Sequence, residues 1–152
     1  MSWREFDLIQ GFCGIPLDDP SVLVGPGDDC AVLVIGGVSI VVTTDLIQDG
    51  VDFILGEADP FDIGWKAVMI SASDIASMGA APTHFVVASS LPPDADEHLL
   101  SSLWNGMYAA AGAVGASIVG GDLSKGAPLT LVSTGLGADR KSTRLNSSHV
   151  SQ

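Results

Sequence analysis

Residues 60–79 read PFDIGWKAVMISASDIASMG, and the spacing inside this stretch decides the fold. Pro60 suits a first helical position, Asp59 before it can cap the backbone, and Gly79 supplies a stop, so the pattern predicts a helix from Pro60 to about Met78. Asp74 shares one face of that helix with Ala67, Ile70, Ser71 and Met78 by three-, four- and seven-residue spacing. A carboxylate on an apolar stripe is expensive to bury unless it is paired or metal-bound. The bland alternative is a helix end at which Asp74 reaches solvent.

Working outward, the neighbouring segments alternate in type. Glu5 to Phe12 reads as a short amphipathic helix, with Phe6, Leu8, Ile9 and Phe12 apolar. Cys30–Ile35 and Val38–Thr44 are β-branched runs joined by Gly36-Gly37, a hairpin signal. After the helix come a strand from His84 to Leu91, an Ala-rich helix from Ala95 to Val114, a short strand Ser117–Val119 and a strand Leu129–Thr134. The expected class is α+β, a mixed β-sheet with helices on one face.

The net charge of −12 argues against nucleic acid and anionic membranes as partners. With 47% hydrophobic residues the 152-residue chain is long and apolar enough for one domain with a core. No apolar run approaches a membrane span, and the polar start is no signal peptide. Cys13 and Cys30 fit neither a metal pattern nor a disulfide framework, so a cytoplasmic protein with two reduced cysteines is expected.

Four Asp clusters then stand out: Gly27-Asp28-Asp29, Thr43-Thr44-Asp45, Ser73-Asp74 and Gly120-Gly121-Asp122. Carboxylates placed at element ends can converge, and converging like charges call for cations. Hard-oxygen sets suit Mg²⁺, which takes one or two carboxylates and fills its shell with substrate phosphates. Each cluster has a plainer reading: turn chemistry at Asp28-Asp29 and Gly120-Gly121-Asp122, a strand-terminating residue at Asp45. There is no phosphate-binding Gly-Lys-Ser/Thr loop and no dinucleotide glycine fingerprint, and Lys66 and Lys125 are the only lysines before residue 139. Lys125 in its loop is more simply solvated, and no nucleophile–base pair is suggested, so no catalytic side chain is expected.

From Asp139 the texture changes. Residues 139–149, DRKSTRLNSSH, lack hydrophobic period and resemble the in-frame translation of a common sequencing adapter. The expected organisation is an amino-terminal domain over 1–138, a piece of a longer protein, followed by a non-native, disordered tail over 139–152. Residues 139–152 hold three of the six basic residues and one Asp, which leaves three Lys/Arg against 17 Asp/Glu, a net −14.

Taken together, Glu5-Phe6-Asp7-Leu8-Ile9, Gly27-Asp28-Asp29-Cys30-Ala31, Thr43-Thr44-Asp45, Gly50-Val51-Asp52-Phe53, Asp62-Ile63-Gly64-Trp65-Lys66-Ala67, Ser73-Asp74-Ile75-Ala76-Ser77-Met78-Gly79-Ala80 and Gly120-Gly121-Asp122-Leu123-Ser124 resemble the thiamine-monophosphate kinase family. That family shares its fold with aminoimidazole-ribonucleotide synthetase, selenophosphate synthetase and the hydrogenase-maturation dehydratase. The resemblance implies an ATP-binding amino-terminal domain whose sheet pairs with a second copy to form a barrel. It implies Mg²⁺ and ATP as cofactors, thiamine monophosphate as phosphoryl acceptor, and an inactive fragment when the carboxy-terminal half is missing. By the matching motifs, Asp29, Thr43, Thr44, Asp45, Asp74 and Asp122 would be metal ligands, and Gly121, Asp122 and Trp104 nucleotide contacts. Two positions depart from the family: Asp52 stands where a substrate-contacting His is usual, and Ser71 where an Asn is usual. The alternatives are another ATP-dependent member of the same superfamily, or a non-catalytic metal-binding dimerisation module.

Overall fold

A computed structural model describes residues 5–13 and 16–139. Its elements run α1 (Glu5–Cys13), β1 (Val22–Val24), β2 (Ala31–Ile35), β3 (Val38–Gln48), α2 (Pro60–Ser77), β4 (Ala80–Leu91), α3 (Glu97–Ala113), β5 (Ser117–Lys125) and β6 (Thr130–Asp139). The six strands form one sheet in the order β1-β2-β3-β6-β4-β5. Only β4 and β5 are parallel neighbours; every other pairing is antiparallel. The expected mixed sheet with α2 and α3 on one face is therefore what the chain forms.

Helix α2 starts where its sequence says it should. The Asp59 carboxylate accepts from the Phe61 N–H at 2.9 Å, relieving one of the unpaired donors of the first turn. Asp96 caps α3 in the same way, accepting from the Leu99 N–H at 2.8 Å, so that helix begins two residues later than its Ala-rich pattern suggests. The core lies between these helices and the sheet, with Ile63, Val68 and Ile75 of α2 and Leu103 of α3 buried against Ile47, Phe85 and Leu131.

The helices cross unusually closely. A Cβ on Gly64 would collide with the Leu103 carbonyl oxygen, and one on Gly106 with the Phe61 carbonyl oxygen. Each glycine thus admits the other helix's backbone, a close approach that any side chain would prevent. The crossing holds α3 over β5, and that placement shapes the cleft described below.

Strand β4 starts at Ala80, four residues before its expected start at His84, and three strand ends run past expectation for one reason. β3 continues to Gln48, β5 to Lys125 and β6 to Asp139. Asp45 is therefore inside a strand, paired with Ser133, and not at its end. Gly120-Gly121-Asp122 is strand as well, paired with Val86, Val87 and Ala88, and not a turn. Ladder bonds to neighbours that are distant in sequence carry these polar and glycine-rich segments, whose local propensity favours turns. Asp139 ends β6 opposite Ala80, one residue past the expected boundary; residues 140–152 of the expected tail lie outside the described residues.

Candidate metal and nucleotide site

Strand alternation sorts the candidate residues before any contact is considered. Along β3, Val41, Thr43, Asp45 and Ile47 turn towards the helices, and Thr44 and Leu46 turn away. Thr43 is buried and Asp45 half-buried where α2 crosses β3 and β6. Asp74, three residues beyond Ser71 on α2, reaches the same place, and so does Asp29 from the loop before β2.

Each of the three carboxylates takes one hydroxyl. Ser71 Oγ lies 2.8 Å from Asp45 Oδ2, Ser77 Oγ lies 2.8 Å from Asp29 Oδ2, and Thr43 Oγ1 lies 3.4 Å from Asp74 Oδ2. Thr43 also reaches the Asp29 carbonyl at 3.3 Å, and Ser77 the Asp74 carbonyl at 2.7 Å, so α2, β3 and the loop before β2 are tied together here. The carboxylates feel one another. Burial first, then the charges of Asp45 and Asp29, push the Asp74 carboxyl above its ordinary value, opposed by the Thr43 hydrogen bond. Burial also pushes the Cys30 thiol up, with Asp74, Asp29 and Asp45 adding to the effect and the Thr43 hydrogen bond opposing it. Cys30 is thus an inert, buried neighbour of the acidic cluster.

Among the described residues, no three His, Cys, Asp or Glu side chains close on one point as a finished metal cage. The donors present are hard oxygens that repel one another. Such a set fits a cation that takes one or two protein oxygens and completes its shell with phosphate and water, as Mg²⁺ does. It does not fit an all-protein cage.

The other candidates lie elsewhere. Thr44 points to the sheet face opposite α2 and α3, where its hydroxyl meets that of Thr134 at 3.1 Å. Asp122 belongs to the row Leu46–Val132–Ala88–Asp122, three strand spacings from β3, or roughly 14 Å. It does not join Asp45 within one copy of the chain, and its only side-chain partner among the described residues is Ser124 Oγ at 3.3 Å. Asp52 serves its own turn. Its Oδ2 accepts from the Gln48 N–H at 2.8 Å, and its carbonyl accepts from Lys66 Nζ at 2.8 Å. The structure gives Asp52 a turn-clamping role at an exposed position and brings it to none of the other candidates.

Trp104, Gly121 and Asp122 do come together. With Tyr108, Met107, Val119 and neighbouring residues they line a cleft of about 650 Å³ where α3 overhangs the edge strand β5. A Cβ on Gly121 would meet the Val87 carbonyl oxygen, so glycine is required for the strand to pack here. Trp104 and Tyr108, one helical turn apart, are 44% and 61% exposed and present ring surface to this cleft. Sequence reasoning missed Tyr108, which its four-residue spacing from Trp104 could have flagged. It also missed the hydroxyls of Ser71 and Ser77, because nothing local marks a serine as the partner of a distant carboxylate. No helix among the described residues is long and apolar enough to cross a membrane.

Residues 27–138 match the family described as AIR synthase related protein, N-terminal domain. The chain is 40% identical over 119 residues to the thiamine-monophosphate kinase of Mycobacterium tuberculosis (strain ATCC 25618 / H37Rv), covering 78% of this chain and 36% of that protein. Among solved structures, it resembles AaThiL complexed with AMPPCP and TMP, with a TM-score of 0.73 and 26% identity over 87% of this chain and 40% of that one. It also resembles the hydrogenase maturation protein HypE in complex with ATP, with a TM-score of 0.57 and 28% identity over 80% of this chain and 36% of that one. The chain thus spans well under half the length of the proteins it matches. It belongs to the AIR synthase related family, as its N-terminal domain.

Proposed function

We propose that this chain is the ATP- and Mg²⁺-binding half of a cytoplasmic enzyme that phosphorylates thiamine monophosphate to thiamine diphosphate. The observation that carries the reading is the hydroxyl-braced trio Asp29, Asp45 and Asp74, set in a chain 40% identical to a thiamine-monophosphate kinase. The likeness to a structure complexed with AMPPCP and TMP supports the nucleotide and the acceptor.

The chemistry asked of these residues is alignment and charge compensation. A phosphate monoester is already an anion at neutral pH, so attack on the γ-phosphorus needs no general base. This accounts for a site with hard oxygens and no His or Lys among them. Mg²⁺, when bound, would supply the positive charge that neutralises the phosphates. Asp45 and Asp74, steadied by Ser71 and Thr43, would hold it, with Asp29 and the Thr43 hydroxyl beside them. Trp104 and Tyr108 would flank the nucleotide in the cleft where Gly121 exposes backbone.

The sheet face opposite α2 and α3 carries Leu46 at 54% exposure among the described residues, and exposed apolar sheet surface invites a partner. We place the two-fold partner there, a second copy forming a barrel with the first. Asp122 stands in the row of that face, so its role as a metal ligand would arise in the dimer and not at its own copy's Asp45.

A second reading, an ATP-dependent hydrogenase-maturation enzyme, draws on the likeness to HypE. The full-length protein decides between them. With ATP, Mg²⁺ and thiamine monophosphate it should yield thiamine diphosphate and ADP; ATP consumption that does not depend on thiamine monophosphate would favour the second reading.

A further inference from the structure

Ser71 is completely buried, yet its hydroxyl does not turn back onto its own helix. A serine inside a helix commonly satisfies itself on the carbonyl three or four residues earlier. Ser77 partly does this, bonding the Asp74 carbonyl as well as Asp29. Ser71 Oγ instead leaves α2 altogether, lying 2.8 Å from Asp45 Oδ2 on β3 and 3.1 Å from the Ser133 carbonyl on β6.

A hydroxyl has one proton for these two acceptors, and the shorter contact is to the charged one, where the stronger bond is expected. Asp45 Oδ2 is thereby committed to Ser71, and Oδ1 has no hydrogen-bond donor among the described residues. Directly across the ladder from Asp45 sits Ser133, also fully buried. Its Oγ is the one buried side-chain polar atom among the described residues with no hydrogen-bond partner. A buried hydroxyl left unpaired is costly and calls for a partner such as an ordered water. The acidic cluster therefore has beneath it a buried floor of two hydroxyls, one fixed on Asp45 and one open.

We infer that Ser71 is a positioning residue: it fixes the Asp45 carboxylate with Oδ1 free to take a divalent cation, and Ser133 completes the polar floor behind it. The inference deepens the proposed function and rests on its reading of Asp45 as a metal ligand. Groups that orient a metal-binding side chain from behind typically change metal affinity ten- to a hundredfold when removed.

The test is Mn²⁺ titration of the 152-residue chain with AMPPCP, followed by electron paramagnetic resonance, alongside circular dichroism melts. Ser71→Ala should weaken Mn²⁺ binding by about tenfold or more without altering the melt, and Ser71→Thr should recover most of the loss. In an Asp45→Asn background, Ser71→Ala should add nothing, since the group it positions is already gone. Wild-type affinity in Ser71→Ala, with affinity lost in Asp45→Asn, would overturn the positioning role and leave the metal reading standing. Unchanged affinity in Asp45→Asn would overturn both. Should Ser71→Ala fold poorly, Ser71→Cys, close in volume but a weak donor, decides in its place. Unfolding of both variants would make Ser71 a core residue and overturn the inference.

Discussion

The acidic cluster and the aromatic cleft lie on the same side of one sheet, yet they are built on opposite principles. At the cluster, three elements close in and every carboxylate is braced by a hydroxyl, so the charges are held ready at a cost in repulsion. At the cleft, glycines lie along the edge strand and two exposed aromatic rings overhang it. The first region is organised before any ligand arrives; the second is an open surface that a flat ligand would complete. Binding energy at the cluster should therefore depend on cations, and binding energy at the cleft on ring contact.

The largest effect is expected where both regions depend on one packing detail. Gly106→Ala drives a methyl into the Phe61 carbonyl and pries α3 from α2. Overpacking of this kind should cost about 1–3 kcal/mol in urea unfolding, and it should disturb the cleft, which α3 overhangs, more than the cluster. Next comes Trp104→Ala. Removing one face of ring contact should weaken nucleotide binding by roughly 1 kcal/mol in calorimetry while leaving Mn²⁺ affinity at the cluster unchanged. A matching loss of Mn²⁺ would mean that the regions are not separable.

Asp74→Asn probes the cost of the braced charges. Because the folded state raises the Asp74 carboxyl above its ordinary value, the native chain holds that proton more tightly than the unfolded chain. Stability of the wild type therefore falls as pH rises from the ordinary Asp range through the raised value. The variant escapes this loss, so in metal-free buffer the two should match near pH 3. The variant should gain at pH 7, by less than about 1 kcal/mol because the group is half-exposed and screened. A gain that persists at pH 3 would place the effect in packing. The smallest effect is chemical: Cys30, buried and with its thiol pushed up, should resist iodoacetamide at pH 7.5 in the native protein and react only on unfolding.

How far the sequence carried this account depends on how local each signal is. Helix α2 was legible because its cap, its first-turn proline and its apolar stripe all lie within twenty residues. So was Asp74, a carboxylate on an apolar face. Asp45 and Asp122 looked like element ends because polar and glycine-rich stretches favour turns, and only pairing with β6 and β4 makes them strand. The pleat then settled what spacing could not. Thr43 and Thr44 are adjacent in sequence and lie on opposite faces, and Asp122 stands three strands from Asp45. Asp52 was legible as a departure from the family, but its use as a turn clamp rests on a backbone N–H four residues earlier. Ser71 was legible only as a departure from the family on the face it shares with Asp74, and Ser77 left no trace beyond being a serine on the right helix.

The most direct measurement is calorimetric titration of ATP into the 152-residue chain, with Mg²⁺ and with excess chelator, for wild type and Asp45→Asn. If three braced carboxylates hold the cation that makes a triphosphate welcome on a chain of net charge −12, wild-type binding should fall by at least tenfold with chelator. Asp45→Asn should bind weakly under both conditions. Equal affinity with and without Mg²⁺, or an Asp45→Asn variant that keeps the full Mg²⁺ dependence, would contradict the account.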